Sequence, residues 1–256
     1  MPDFLISGFP RCGTTSLFNN LIKHDCILSP LVKEPSFFNS DYYRGLGWYK
    51  SFFPTKFKKE QLQKKLNSTV ITGEATATYA FDPKCPSRIK EVLPNIKLIF
   101  LLRNPIERAF SHYRSIRKRG LESLSFEEAI KVEEKRLEGE YQNMLVNKNY
   151  YSKKFHFYGY LSGGHYYKLL KNWYNEFENE QILILKSEDI FKNPIEQMDK
   201  ICSFLNISQI NFQEYSHHNL SEDKLKLDQI NQKKLKEHFE SHNEQLYKFL
   251  GLNFEW

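Results

Sequence analysis

Residues 4–17 read FLISGFPRCGTTSL, the stretch that most restricts what this chain can fold into. An apolar run, Phe4–Ser7, enters a loop bounded by Gly8 and Gly13, and the loop opens straight into a helix start. A strand, a tight turn and a helix N-terminus in that order aim several backbone N–H groups at one point, where the helix dipole also favours negative charge. The two glycines let the backbone bend, and Thr14, Thr15 and Ser16 add hydroxyl donors at the first helical turn. The stretch therefore predicts a loop that holds a phosphate or a similar anion.

The rest of the chain supplies a matching frame. Phe4–Ser7, Thr69–Gly73, Lys97–Leu102 and Gln181–Lys186 are short apolar runs rich in Ile, Leu and Val. Helical patterns separate them, at Ser16–His24, Pro86–Leu93, Pro105–Lys118, Ser125–Glu138, Tyr166–Phe177, Pro194–Leu205 and Asp228–Leu250. Pro86, Pro105 and Pro194 suit first helical turns, where a missing N–H costs nothing. The alternation predicts an α/β, P-loop-like three-layer fold with a central parallel sheet flanked by helices. Ligands of such sheets sit beyond the carboxyl ends of the strands, and Ser7-Gly8, Gly73-Glu74 and Arg103-Asn104 all fall there. No linker, repeat or low-complexity tract divides the 256 residues, so one domain spanning 1–256 is expected.

The loop departs from the nucleoside-triphosphatase pattern, which requires Lys and then Ser/Thr after the second glycine. Thr14-Thr15 stands there instead, and the loop's one cation is Arg11. That points to a nucleotide whose reacting group is not a γ-phosphate. The stretch PRCGTTSL resembles the 5′-phosphosulfate loop, P-K-x-G-T-T/S-x-L, of sulfotransferases that use 3′-phosphoadenosine 5′-phosphosulfate (PAPS). Three further blocks, in the right order, are similar to the same family. KLIFLLRNPIERAFSHY, residues 97–113, resembles its 3′-phosphate segment, with Arg103 and Ser111 at the two phosphate-holding positions. EPSFFNSDYYRGLGWYKSFFP, residues 34–54, is similar to the heparan sulfate (carbohydrate) branch, where E-x-x-F-F precedes G-x-x-W-Y. The tail LKEHFESHNEQLYKFLGLNFEW resembles that branch's terminal helix and Phe-x-Trp ending.

The resemblance implies transfer of a sulfuryl group from PAPS, leaving 3′,5′-adenosine bisphosphate (PAP), to a hydroxyl or amine of a carbohydrate or other small hydroxylated acceptor. Arg11, Cys12, Gly13, Thr14, Thr15, Ser16, Arg103 and Ser111 are the expected nucleotide-binding residues. Arg11 stands where the family has Lys, either stabilising the leaving phosphate or only binding it, and its planar fork is not equivalent to a mobile ammonium. Glu34 occupies the position of the branch's general base, the alternative being a solvated loop residue, and Lys33 is a second group able to steady the sulfonate or leaving group. Glu74, at a strand end facing the cleft, is the runner-up base, or else a structural partner for Arg108. The segment GEATATYAF departs from the branch's E-K-T/S-x-x-Y-F at Ala75, where that branch has Lys. Cations and backbone donors can stabilise a phosphate leaving group, so no metal is expected.

Other residues are open to two readings. His112 and His165 read as structural or rim residues, and His217-His218-Asn219 as a late loop offering backbone contacts to the nucleotide. Arg117, Lys118 and Arg119 form either a solvated face or a guide for an anionic acceptor. Tyr42, Tyr43, Trp48, Tyr49, Tyr150, Tyr151, Phe155, Phe157 and Tyr158 could stack on an acceptor or pin long loops to the core.

A net charge of +6 and a pI near 8.9 suit an anionic nucleotide and acceptor. No nucleic-acid-binding signature accompanies that charge. A mean hydropathy of −0.60 argues against a membrane span. Met1 lies three residues before the first strand, which leaves no room for a leader, so a cytoplasmic monomer or homodimer with reduced cysteines is expected. An atypical P-loop kinase and a non-catalytic nucleotide- or glycan-binding relative are the alternative functions.

Overall fold

The computed structural model describes residues 1–209, 215 and 227–256. Five parallel strands form its centre: β1 (Phe4–Gly8), β2 (Ile27–Leu28), β3 (Ile71–Ala75), β4 (Lys97–Leu102) and β5 (Ile182–Lys186). They lie in the order β2-β3-β1-β4-β5. β1 is central, pairing Phe4 with Gly73 of β3 on one side and with Lys97 of β4 on the other. Every residue of β1 and β3 is buried, as are Leu98 to Leu102 of β4. Strands buried on both faces read as continuous apolar runs because helices cover each face. β5, at one edge, buries Ile182 and Leu185 and leaves Leu183, Ile184 and Lys186 half-buried.

The predicted frame is present with local shifts. The Lys97–Leu102 strand and the Pro105–Lys118 and Pro194–Leu205 helices have the predicted bounds. The third strand lies two residues later than Thr69–Gly73, because Glu74 and Ala75 pair with Leu5 and Ile6 of β1. The segment 125–138 is two helices, Phe126–Lys131 and Glu133–Leu137, separated at Val132. Elements with no counterpart in the sequence reading include the two-residue β2, the Lys56–Leu66 helix, which buries no residue, and the short helices Gly45–Lys50, Glu140–Val146, Lys153–Tyr158 and Ser187–Lys192. His217-His218-Asn219 lies outside the described residues.

Close packing fixes key positions of the frame. A Cβ at Gly73 would sit 2.4 Å from the Phe4 ring, so β3 needs glycine where it passes that side chain. A Cβ at Gly8 would sit 2.9 Å from the Leu101 carbonyl oxygen, so the strand feeding the loop can lie against β4 only without a side chain there. Trp173 is buried, edge-on to Phe100 at 4.9 Å, and packs one helix onto the sheet. A second cluster, containing Tyr113, Phe126, Tyr160, Leu235 and Phe239, joins the Pro105–Lys118 helix to the terminal Gln229–Leu250 helix. All four cysteines are buried and none is in a disulfide. Among the described residues no helix is long and apolar enough to cross a membrane.

Candidate active site

The loop after β1 has the shape its sequence predicts. Gly13 caps the Thr14–Leu21 helix at φ 93°, a left-handed conformation that glycine adopts without steric cost. Arg11 is also left-handed, at φ 78°, an unusual conformation for a residue with a Cβ and one concentrated at functional sites. Arg11, Gly13 and Thr15 are half-exposed, whereas Cys12, Thr14 and Ser16 are buried. Alternate residues therefore face the cleft. Cys12 differs from its expected role. Its N–H closes the loop on the Phe9 carbonyl at 3.0 Å, and its carbonyl accepts from Ser187 Oγ at 2.5 Å. Burial pushes its thiol pKa up, and the sulfur lies 3.9 Å from the Tyr166 hydroxyl, so Cys12 braces the loop from behind.

Cations gather at the loop's outer end. Arg11 Nε donates to Ser111 Oγ at 3.1 Å, joining two segments 100 residues apart. Arg103 Nη1 donates to the Arg11 carbonyl at 3.3 Å, and its Nη2 reaches Glu107 at 2.9 Å. Burial lowers the Arg11 pKa, and the like charges of Arg103 and Arg114 lower it further. Guanidiniums that repel one another beside a helix N-terminus form a site prepared for an anion. Arg114 was not singled out from the sequence. It stands one turn before the Arg117–Arg119 run, whose members are exposed, and helical spacing from Ser111 is the signal that identifies it.

A second cation reaches the loop from elsewhere in the chain. The Ala75 N–H donates to the Lys33 carbonyl at 2.9 Å, which ties the segment carrying Lys33 and Glu34 to the end of β3. From there Lys33 Nζ donates to Thr15 Oγ1 at 3.0 Å and to Glu34 Oε1 at 2.7 Å. Lys33 thus links the first turn of the loop helix to a carboxylate at the cleft rim. The Glu34 side chain is 46% exposed, which leaves it open to a ligand.

Glu74 differs from the sequence expectation. It does not face the cleft and does not pair with Arg108. It is fully buried and accepts from Tyr49 at 2.6 Å, Thr76 at 2.6 Å and Tyr79 at 3.3 Å. Burial pushes its pKa up to about 7, against the opposing pull of the three hydroxyls. Arg108 instead donates to the Tyr160 carbonyl. Tyr49, held by Glu74, stacks on Phe37 at 4.6 Å, so the carboxyl anchors the aromatic layer under the Glu34 segment. Phe37, Phe38 and Tyr49 are all buried, so this layer pins the loops. Tyr43 is 67% exposed, with the Arg44 guanidinium 5.4 Å from its ring. His112 is buried and its pKa is pushed well down by burial, in keeping with a structural role.

The sulfotransferase domain family matches the chain over residues 1–256. Among curated proteins, the membrane-associated sulfotransferase kil1 of Dictyostelium discoideum is 29% identical over 324 residues, covering 100% of this chain and 66% of that protein. The bifunctional heparan sulfate N-deacetylase/N-sulfotransferase of Drosophila melanogaster is 29% identical over 232 residues, covering 85% of this chain and 20% of that protein. The chain thus spans less than two thirds of either relative. Among solved structures, a sulfotransferase from Alicyclobacillus acidocaldarius has a TM-score of 0.74 at 24% identity, covering 99% of this chain and 97% of that one. A mouse sulfotransferase complexed with PAP has a TM-score of 0.53 at 15% identity, covering 96% of this chain and 85% of that one. These two likenesses show the shared fold.

Proposed function

The chain belongs to the sulfotransferase family, and we propose that it transfers a sulfuryl group from PAPS to a hydroxyl or amine of a carbohydrate or other small hydroxylated acceptor. The observation that carries this reading is the pair of cationic poles on one loop. Lys33 meets the loop helix at Thr15, and Arg11 with Arg103 stands at the Ser111 end. A nucleotide with phosphoryl groups on both its 5′ and 3′ positions matches two poles. The bisphosphate bound by the mouse structure and the heparan sulfate named for several relatives support the same donor and acceptor classes. One hydrophobic cluster runs from Phe4 to Phe254, which supports reading residues 1–256 as a single catalytic unit.

In the proposed step the acceptor oxygen or nitrogen attacks sulfur in line with the bond to the 5′-phosphate. A new bond to sulfur forms as the old S–O bond breaks, and its electron pair leaves on the phosphate of PAP. Loop N–H groups, the Thr15 hydroxyl and the Lys33 ammonium lie where that charge develops. The acceptor's proton passes to Glu34, which Lys33 orients at 2.7 Å. Arg103 and Ser111 hold the distal phosphate, joined by Arg11, whose contact with Ser111 moves it there from the leaving phosphate to which its sequence position assigned it, and Gly13, Thr14 and Ser16 shape the cradle. Because Glu74 is sealed among three hydroxyls, we assign it to support of the aromatic layer.

Turnover of PAPS with a panel of saccharide and phenolic acceptors tests the assignment. Glu34→Ala is expected to lower turnover by about 10²-fold while leaving PAP affinity nearly unchanged. Equal turnover in Glu34→Ala and wild type would remove Glu34 from the role of base.

A further inference from the structure

We propose that His165, His238 and His242 form a binding site for a divalent transition-metal cation of the Zn²⁺ class, clasping the terminal helix to the segment that carries Tyr166. His238 and His242 are four residues apart on the Gln229–Leu250 helix, so they share one face. His165 follows the Ser162–Gly164 turn, which the terminal helix approaches so closely that a Cβ at Gly164 would sit 2.8 Å from the Phe239 ring. That approach fixes His165 opposite the pair.

The three rings lie in mutual contact. His165 Nε2 lies 3.0 Å from His238 Nε2, and the His165 ring stacks on His242 with centroids 3.9 Å apart. One ligand nitrogen from each of the three lies within 4.8 Å of the others. Zinc–nitrogen bonds of 2.0–2.1 Å in a tetrahedron place ligating nitrogens about 3.3 Å apart. The facing pair need open by only a few tenths of an ångström to admit an ion.

Access agrees with this geometry. A cleft of about 820 Å³, lined in part by Glu133, Glu134, Ser162, His165 and His238, leads to the rings and leaves room for water as a fourth ligand. The positive charges of Lys168 and Arg108 act on His165 and oppose a dication, so binding is expected to be weaker than at an all-thiolate zinc site. The site is independent of the proposed sulfuryl transfer.

Calorimetric titration of the chelator-treated full chain with Zn²⁺, in parallel with visible spectra of the Co²⁺-loaded protein, tests the proposal. Saturable binding of one equivalent is expected, with Co²⁺ showing the d–d absorption of a nitrogen-ligated tetrahedral site and no thiolate charge-transfer band. His165→Gln and His238→Gln should each weaken Zn²⁺ binding at least about tenfold. Lack of saturable binding, a thiolate band, or unchanged affinity in both single variants would overturn the proposal. The wild-type Co²⁺ spectrum decides the matter even where a histidine variant fails to fold.

Discussion

Glu74→Gln should remove a distinct part of the chain's pH-dependent stability. The carboxyl is fully buried and its pKa is raised from the ordinary 4.5 to about 7. A raised folded-state pKa means that the folded protein holds the proton more tightly than the unfolded chain does. The stabilising effect is therefore full below the unfolded value and is lost as pH rises through the folded one. At 1.36 kcal/mol per pKa unit, the shift amounts to about 3 kcal/mol, lost between roughly pH 4.5 and 7 and level above that. Glutamine keeps the shape and carries no proton to lose. Urea unfolding of wild type and Glu74→Gln from pH 5 to 8 isolates the effect, because other titrations cancel in the difference. Wild-type stability should fall relative to the variant by about 1.4 kcal/mol per pH unit below pH 7 and then run parallel. Parallel curves across the whole range would refute the reasoning. They would mean that the hydroxyls of Tyr49, Thr76 and Tyr79 offset the burial of the charge completely.

Three further outcomes follow from the packing and the site. Arg103→Ala should weaken PAP binding about 10- to 100-fold, the value of a charge-assisted hydrogen bond, with a smaller effect on adenosine 5′-phosphosulfate, which lacks the 3′-phosphate. Equal loss for both ligands in calorimetry would contradict the placement of Arg103. Lys33→Met should lower kcat about 10²-fold or more through loss of a donor at the leaving oxygen, and a change in KM alone would reassign Lys33 to binding. Gly73→Ala, whose new Cβ would meet the Phe4 ring at 2.4 Å, should destabilise the fold by about 1–3 kcal/mol in thermal or urea unfolding.

The parts of the fold legible in the sequence are those set by local pattern. The loop from Gly8 to Gly13 is readable because glycine spacing, an apolar run before it and hydroxyls after it all act within a few residues. The Pro105–Lys118 helix was equally plain, with Asn104 accepting from the Ile106 and Glu107 N–H groups and proline at the first position. The two-residue β2 was not legible, since its strand character comes from pairing with β3 and not from its own sequence.

Within the site, residue types were readable but their partners were not. Lys33 on Thr15 and Arg11 on Ser111 are contacts across 18 and 100 residues, which depend on how the strands are ordered. Glu74 is placed at a strand end by its sequence context, yet its burial depends on Tyr49, which arrives from a helix 25 residues earlier. The histidine cluster was hidden for the same reason: His238 and His242 show helical spacing, but nothing local in the sequence places His165 against them.

Titration calorimetry with PAP, run beside ATP with Mg²⁺, tests the central claim most directly. The account predicts saturable binding of PAP, weakened in Arg103→Ala, with little response to ATP. Tight binding of ATP with indifference to PAP would contradict it, because the two cationic poles of the loop would then serve a triphosphate and not a nucleotide phosphorylated at both ends.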